Sequence, residues 1–190
     1  DYAPMLAAVT IDPARNALIV EHVAREARAG HVCLVLSGRI DHCHTLAEAI
    51  EDFELAIAYR EGLRQKLGDA WSPELCEHLA SAYMNRGVSH RKSGNLIQAI
   101  ADHGQAIDLR ERLRTTLGSD VPRGVLHELA AAYNNRGVAH RALDNWEAAI
   151  LDYSRAVALR ESLRSDMGPN WPPTWANDLA STYLNRGILH

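Results

Sequence analysis

The sequence predicts a mostly α-helical protein, a stack of antiparallel helix pairs repeating every 50 residues, preceded by a short α/β fragment. Three observations carry this. Residues 79–118 laid on 129–168 agree at 21 of 40 positions without a gap. Leu79-Ala80 and Tyr83-x-Asn85-Arg86-Gly87-x-x-His90 return as Leu129-Ala130 and Tyr133-x-Asn135-Arg136-Gly137-x-x-His140, then begin again as Leu179-Ala180 and Tyr183-x-Asn185-Arg186-Gly187-x-x-His190. A fixed period of this length marks an array whose units bury their apolar faces on one another. Within each unit the apolar residues keep the three-and-four spacing of an amphipathic helix. The first 50 residues share almost none of this and carry a short aliphatic run instead.

Taken in order, residues 14–29 pattern as a helix that ends at Gly30. Val32-Cys33-Leu34-Val35-Leu36 has the character of a buried strand, and Asp41 is placed to cap a helix over 42–67. The alternative is that residues 23–41 form a degenerate first repeat helix. Residues 49–68 already join the repeat register, agreeing with 99–118 at 11 of 20 positions. Leu96, Ala99, Ile100, Ala106, Ile107, Leu113 and Leu117 predict a helix over 95–117, and Trp146, Ala149, Ile150, Tyr153, Ala156, Val157, Leu163 and Met167 predict its counterpart over 145–167. Gly118 and Gly168 stop these two helices, and prolines then open the next ones. First helices of the pairs are expected at 73–92, 123–142 and 173–190. The domains are thus a helix–strand–helix fragment over 1–45 and an array over 46–190. The array holds a lone second helix (46–68), full units at 73–118 and 123–168, and a partial unit at 173–190.

A net charge of −4 argues against non-specific attraction to nucleic acid or acidic membranes. No apolar run approaches the ~20 residues that cross a bilayer. Cys33, Cys43 and Cys76 are scattered and odd in number, which favours a reducing, cytoplasmic compartment over a disulfide framework. The chain starts at Asp1 and stops at His190 in mid-repeat, so it reads as a piece of something longer.

The recurring residues resemble the tetratricopeptide repeat: Tyr133, Gly137, His140, Trp146, Ala149, Tyr153 and Ala156 stand at its aromatic, glycine and alanine positions. The resemblance covers about 46–190 and implies a right-handed stack that binds proteins or peptides, without catalysis, cofactor or metal. The period exceeds the family's usual length, and Glu111 and Glu161 stand where the family has a proline. A second resemblance covers about residues 1–48. Arg15-Asn16 with Leu18-Ile19, Leu34-Val35-Leu36-Ser37, Arg39, His42 and Leu46-Ala47-Glu48 are similar to part of the second RecA-like lobe of superfamily 2 helicases. It implies a motor upstream with the repeats as a docking arm. The chain itself has no Gly-x-x-x-x-Gly-Lys loop to hold ATP.

Asn85, Asn135 and Asn185 are the leading site candidates. In peptide-binding members of the resembled family, an asparagine in this context faces the groove, where an amide offers both a donor and an acceptor to a peptide group. The alternative role is a bond to the adjoining helix. Arg86, Arg136 and Arg186 either add a positive stripe that favours acidic peptides or pair with acids such as Asp102 or Asp152. Gly87, Gly137 and Gly187 sit where helix-interior glycine costs ~1 kcal/mol, which close approach of a paired helix explains. His90, His140 and His190 recur one per unit, too far apart to share an ion. His42-Cys43-His44 lacks chelating spacing. The runs Arg110-Glu111-x-x-Arg114 and Arg160-Glu161-x-x-Arg164 read as solvated faces. A last helix with its face of Leu179, Tyr183, Gly187 and His190 unpartnered predicts end-to-end self-association, or fraying beyond about Asn185.

Overall fold

A computed structural model describes the backbone of residues 37–189 and the side chains of residues 45–189. Six α-helices follow one another among the described residues: α1 (Ser37–Leu67), α2 (Pro73–Lys92), α3 (Leu96–Leu117), α4 (Arg123–Ala142), α5 (Trp146–Met167) and α6 (Pro173–Gly187). No strand occurs among them. The expected helix over 14–29, the expected strand over 32–36 and most of the helicase-like segment lie outside the described residues. Helix α1 begins at Ser37 and runs through Asp41 without a break, so Asp41 is a helix-interior residue and not the expected cap. The expected boundary at residue 45 also falls inside this helix.

The connections repeat as faithfully as the helices. Three-residue 3-10 turns at Gly68–Ala70, Gly118–Asp120 and Gly168–Asn170 link each second helix to the next first helix. The leading glycine has φ between +50° and +55° in all three, a conformation that favours glycine. Pro73 and Pro173 then occupy the first turn of α2 and α6, and the Ser72 hydroxyl caps α2 by accepting from the Leu75 amide. Within a unit the turn is shorter still, with Gly94 (φ 85°) and Asp144 (φ 57°) at its apex.

Helices α2 and α4 each pack against the second helix of their own unit and against the second helix before it, and α6 packs against the second helix before it. First helices also touch one another, α2 with α4 and α4 with α6, while successive second helices approach each other less. This places the first helices on the inner side of the stack. Ala80, Ala106, Ala130 and Ala156 have no exposed surface, and these small residues let the backbones come close. Leu79, Leu129 and Leu163 are also buried, each contributing ~1.5–3 kcal/mol of transfer energy.

Candidate interaction surface

Helices α2, α4 and α6 present the three asparagines at one register. Asn85 is exposed, whereas Asn135 and Asn185 are half-buried. The Asn185 amide donates to the Asn134 side-chain oxygen at 3.1 Å. This bond joins α6 to α4 and shows that the asparagine position abuts the preceding first helix. The residue equivalent to Asn134 one unit earlier is Met84, which offers no such acceptor. Each asparagine has an aliphatic neighbour one turn on: Val88, Val138 and Ile188.

The arginines point elsewhere. Arg86 on α2 donates from Nε and Nη2 to the two oxygens of Asp102 on α3, at 2.8 and 2.6 Å. Arg136 on α4 makes the same fork with Asp152 on α5, both distances 2.8 Å. These are helix-pair struts within a unit, with the arginine charge further stabilised by the adjacent carboxylate. All three guanidiniums lie over the tyrosine three residues earlier, 5.5, 5.6 and 5.3 Å from the ring centroids of Tyr83, Tyr133 and Tyr183, but Arg186 makes no such fork among the described residues.

The glycines of the same motif carry the helix pair. An added Cβ on Gly87 would stand 2.8 Å from the His103 ring, and one on Gly137 would stand 2.8 Å from the Tyr153 ring. One aromatic or imidazole ring per unit therefore fills the space left by glycine. His103 is fully buried, and its pKa is pushed down to about 4 by burial, then by the charges of Arg91 and Arg136. His90 and His140 are half-buried, each with an unpartnered buried Nδ1. Residue 190 lies outside the described residues. Among the described residues no group of three or more His, Cys, Asp or Glu is placed to hold a metal ion.

The Arg-Glu-x-x-Arg runs are solvated faces only in part: Arg114, Glu161 and Arg164 are exposed, but the leading arginines are buried. Arg110 has no exposed surface and binds Glu77 across the helix pair, with a further bond to the Ser81 hydroxyl. Arg160 is buried too, donating to the Asp178 carbonyl and the Thr182 hydroxyl of α6. Glu111 does pair with Arg114 at 2.7 Å, but it also accepts the Tyr133 hydroxyl at 3.0 Å from the next unit. Tyr83 bonds Glu61 and Tyr183 bonds Glu161 in the same way. Burial first, then the facing glutamate, raises the Tyr83 and Tyr133 pKa values, keeping both hydroxyls protonated as donors. This Tyr–Glu link between units was visible as a shared recurrence of the two residue types. His127 stacks on Trp175 with ring centroids 4.1 Å apart and faces Asp178 at 3.3 Å, tying α4 to α6.

Residues 79–114 and 130–163 each match a model described as the tetratricopeptide repeat. These matches support the tetratricopeptide-repeat family for the array. Each runs from the middle of a first helix into its paired second helix, the portion that holds the Tyr-x-Asn-Arg-Gly motif and the ring that fills the glycine slot. Neither reaches residues 1–48, where the helicase-like resemblance lies. A comparison with curated proteins finds no match. Among the described residues no helix is long and apolar enough to cross a membrane.

Proposed function

We propose that this chain is a non-enzymatic protein-interaction scaffold that takes a peptide segment or helix along the inner face of α2, α4 and α6. The observation that carries the reading is the recurrence, at one register on three neighbouring helices, of an amide beside an aliphatic side chain. Asn85 with Val88, Asn135 with Val138 and Asn185 with Ile188 form this series. Helices ~8–10 Å apart match about three residues of extended chain at ~3.3 Å each. A bound peptide would thus meet an amide at every third residue, with aliphatic contacts between. Because Arg86 and Arg136 are held by Asp102 and Asp152, the surface selects by main-chain hydrogen bonding more than by acidity.

The test is to select binders from a displayed random-peptide library on the folded chain, then measure affinity after Asn85→Ala, Asn135→Ala and Asn185→Ala are combined. At about 1 kcal/mol per lost amide bond the triple variant should bind roughly 100-fold more weakly. Its thermal melt should stay close to that of the parent. A collapse in stability, with unchanged binding by the fraction that remains folded, would assign these residues to the stack instead.

A further inference from the structure

Most large apolar side chains of the stack are covered, and even Leu179, expected to lie open on α6, is buried. Within the two complete units, Ile97, Leu143, Trp146 and Leu151 stay exposed, and the first three lie at the short turn inside a unit. Trp146, the first residue of α5, is the largest of them and is 48% exposed. The openness of this edge comes with the register. In the first unit, which the complete pair α4 and α5 follows, Ser93, Asn95, Ile97 and Gln98 are exposed as well, Ile97 at 71%.

The two turns differ in charge. His90, Arg91, Asn95, Ala99 and Ile100 return as His140, Arg141, Asn145, Ala149 and Ile150. Among the residues between them, Lys92 gives way to Ala142, Gly94 to Asp144, Leu96 to Trp146 and Ile97 to Glu147. The second turn thus loses a cation and gains two carboxylates on either side of an indole. His140, Asp144, Asn145, Trp146, Glu147 and Ala148 line an open cleft of about 400 Å³. Asp144 and Glu147 are exposed and make no hydrogen bond or ion pair among the described residues. Arg141, the cation nearest in sequence, acts on the buried Tyr153 in the seam of the helix pair. Burial, ahead of any charge, lowers the His140 pKa, so this ring is neutral at pH 7 and leaves the cleft negative.

An exposed indole edged by free carboxylates is complementary to an organic cation. A metal ion would lack its ligands here, since no group of three or more His, Cys, Asp or Glu is placed to hold one among the described residues. A guanidinium meets both parts of the cleft at once, because its plane stacks on an aromatic face while its fork pairs with carboxylates. We propose that the cleft receives an arginine side chain from a basic segment of a partner protein, with the guanidinium over Trp146 and its N–H groups donating to Asp144 and Glu147. None of the asparagines or aliphatic residues of the inner-face series lines this cleft, so it is a separate contact on the turn edge of the stack.

Titration of the nitrogen-15-labelled chain with N-acetyl-argininamide tests it, read from the indole N–H signals of Trp71, Trp146, Trp171 and Trp175. The Trp146 signal should move and saturate while the other indoles stay nearly still. N-acetyl-citrullinamide, similar in shape but uncharged, should bind at least roughly tenfold more weakly. A short Gly/Ser peptide with one central arginine should bind no more weakly than the free derivative, because a protein segment needs room for its backbone. Asp144→Asn combined with Glu147→Gln keeps the indole and should weaken arginine binding by roughly tenfold or more, with unchanged helical circular dichroism. Equal responses to the arginine and citrulline derivatives, or shifts spread over all the indoles, would overturn the proposal. So would exclusion of the peptide, or full binding by the doubly neutralised variant.

Discussion

Acidification should weaken this protein through His103, and the loss can be isolated by substitution. The His103 ring is fully buried against Gly87, and neither ring nitrogen has a hydrogen-bond partner among the described residues. Its pKa falls from 6.5 to about 4 in the fold. The unfolded chain therefore takes up this proton first, and stability rises with pH wherever that holds. The contribution is complete above the unfolded pKa, declines as pH drops below 6.5, and is gone once pH passes the folded value near 4. At 1.36 kcal/mol per unit this amounts to ~3 kcal/mol in full, of which ~2 kcal/mol disappears between about pH 7 and 5. His127 and His140 are also shifted down, chiefly by burial, so the background slopes the same way. His103→Phe removes only the first term and keeps a ring in a slot that accepts Tyr153 one unit later. Urea unfolding followed by helical circular dichroism at the two pH values should show the parent losing ~2 kcal/mol more than the variant. Equal losses in both proteins would refute the argument.

Other outcomes follow from the same contacts. Gly137→Ala places a methyl 2.8 Å from the Tyr153 ring and should cost about 1–3 kcal/mol in thermal or urea melts. Gly62→Ala, in the body of α1 with nothing within 4 Å of its Cβ, should be neutral or stabilise by up to ~1 kcal/mol. Glu77→Ala leaves Arg110 buried without its carboxylate and should cost about 3–5 kcal/mol, while Glu77→Leu combined with Arg110→Met should regain most of that.

What could be read from the sequence was whatever recurs. Proline and glycine signals placed α2 and α4 at their observed bounds, since those residues act through local backbone geometry. The second helices begin at Leu96 and Trp146, one residue later than expected, because Asn95 and Asn145 adopt ψ near 66° and sit just outside the helix. The architectural glycines were legible for the same reason: the ring opposite each lies 16 residues on in both units. Arg110 and Arg160 were misread because their partners differ: Arg110 binds Glu77, whose counterparts are His127 and Asn177, and Arg160 binds the Asp178 carbonyl and the Thr182 hydroxyl instead. A contact made once leaves no periodic trace. The asparagines lie between these cases. Their register on the first helices was evident, but the bond from Asn185 to Asn134 depends on a position that is Met in one unit and Leu in another.

The side-chain hydrogen bonds also set how far mechanical information travels along the stack. Among the described residues their chain separations fall at 16 for Arg86–Asp102, 22 for Tyr133–Glu111 and 33 for Arg110–Glu77, with 51 the longest, for Asn185–Asn134. None of these side-chain bonds reaches beyond the adjacent unit. A pull applied at the two ends would therefore load the joints in series, like links rather than a knot. Rupture at one joint would leave the rest intact, and the extension record should show steps of one 50-residue unit. A molecule so wired yields gradually to tension and can recover one link at a time.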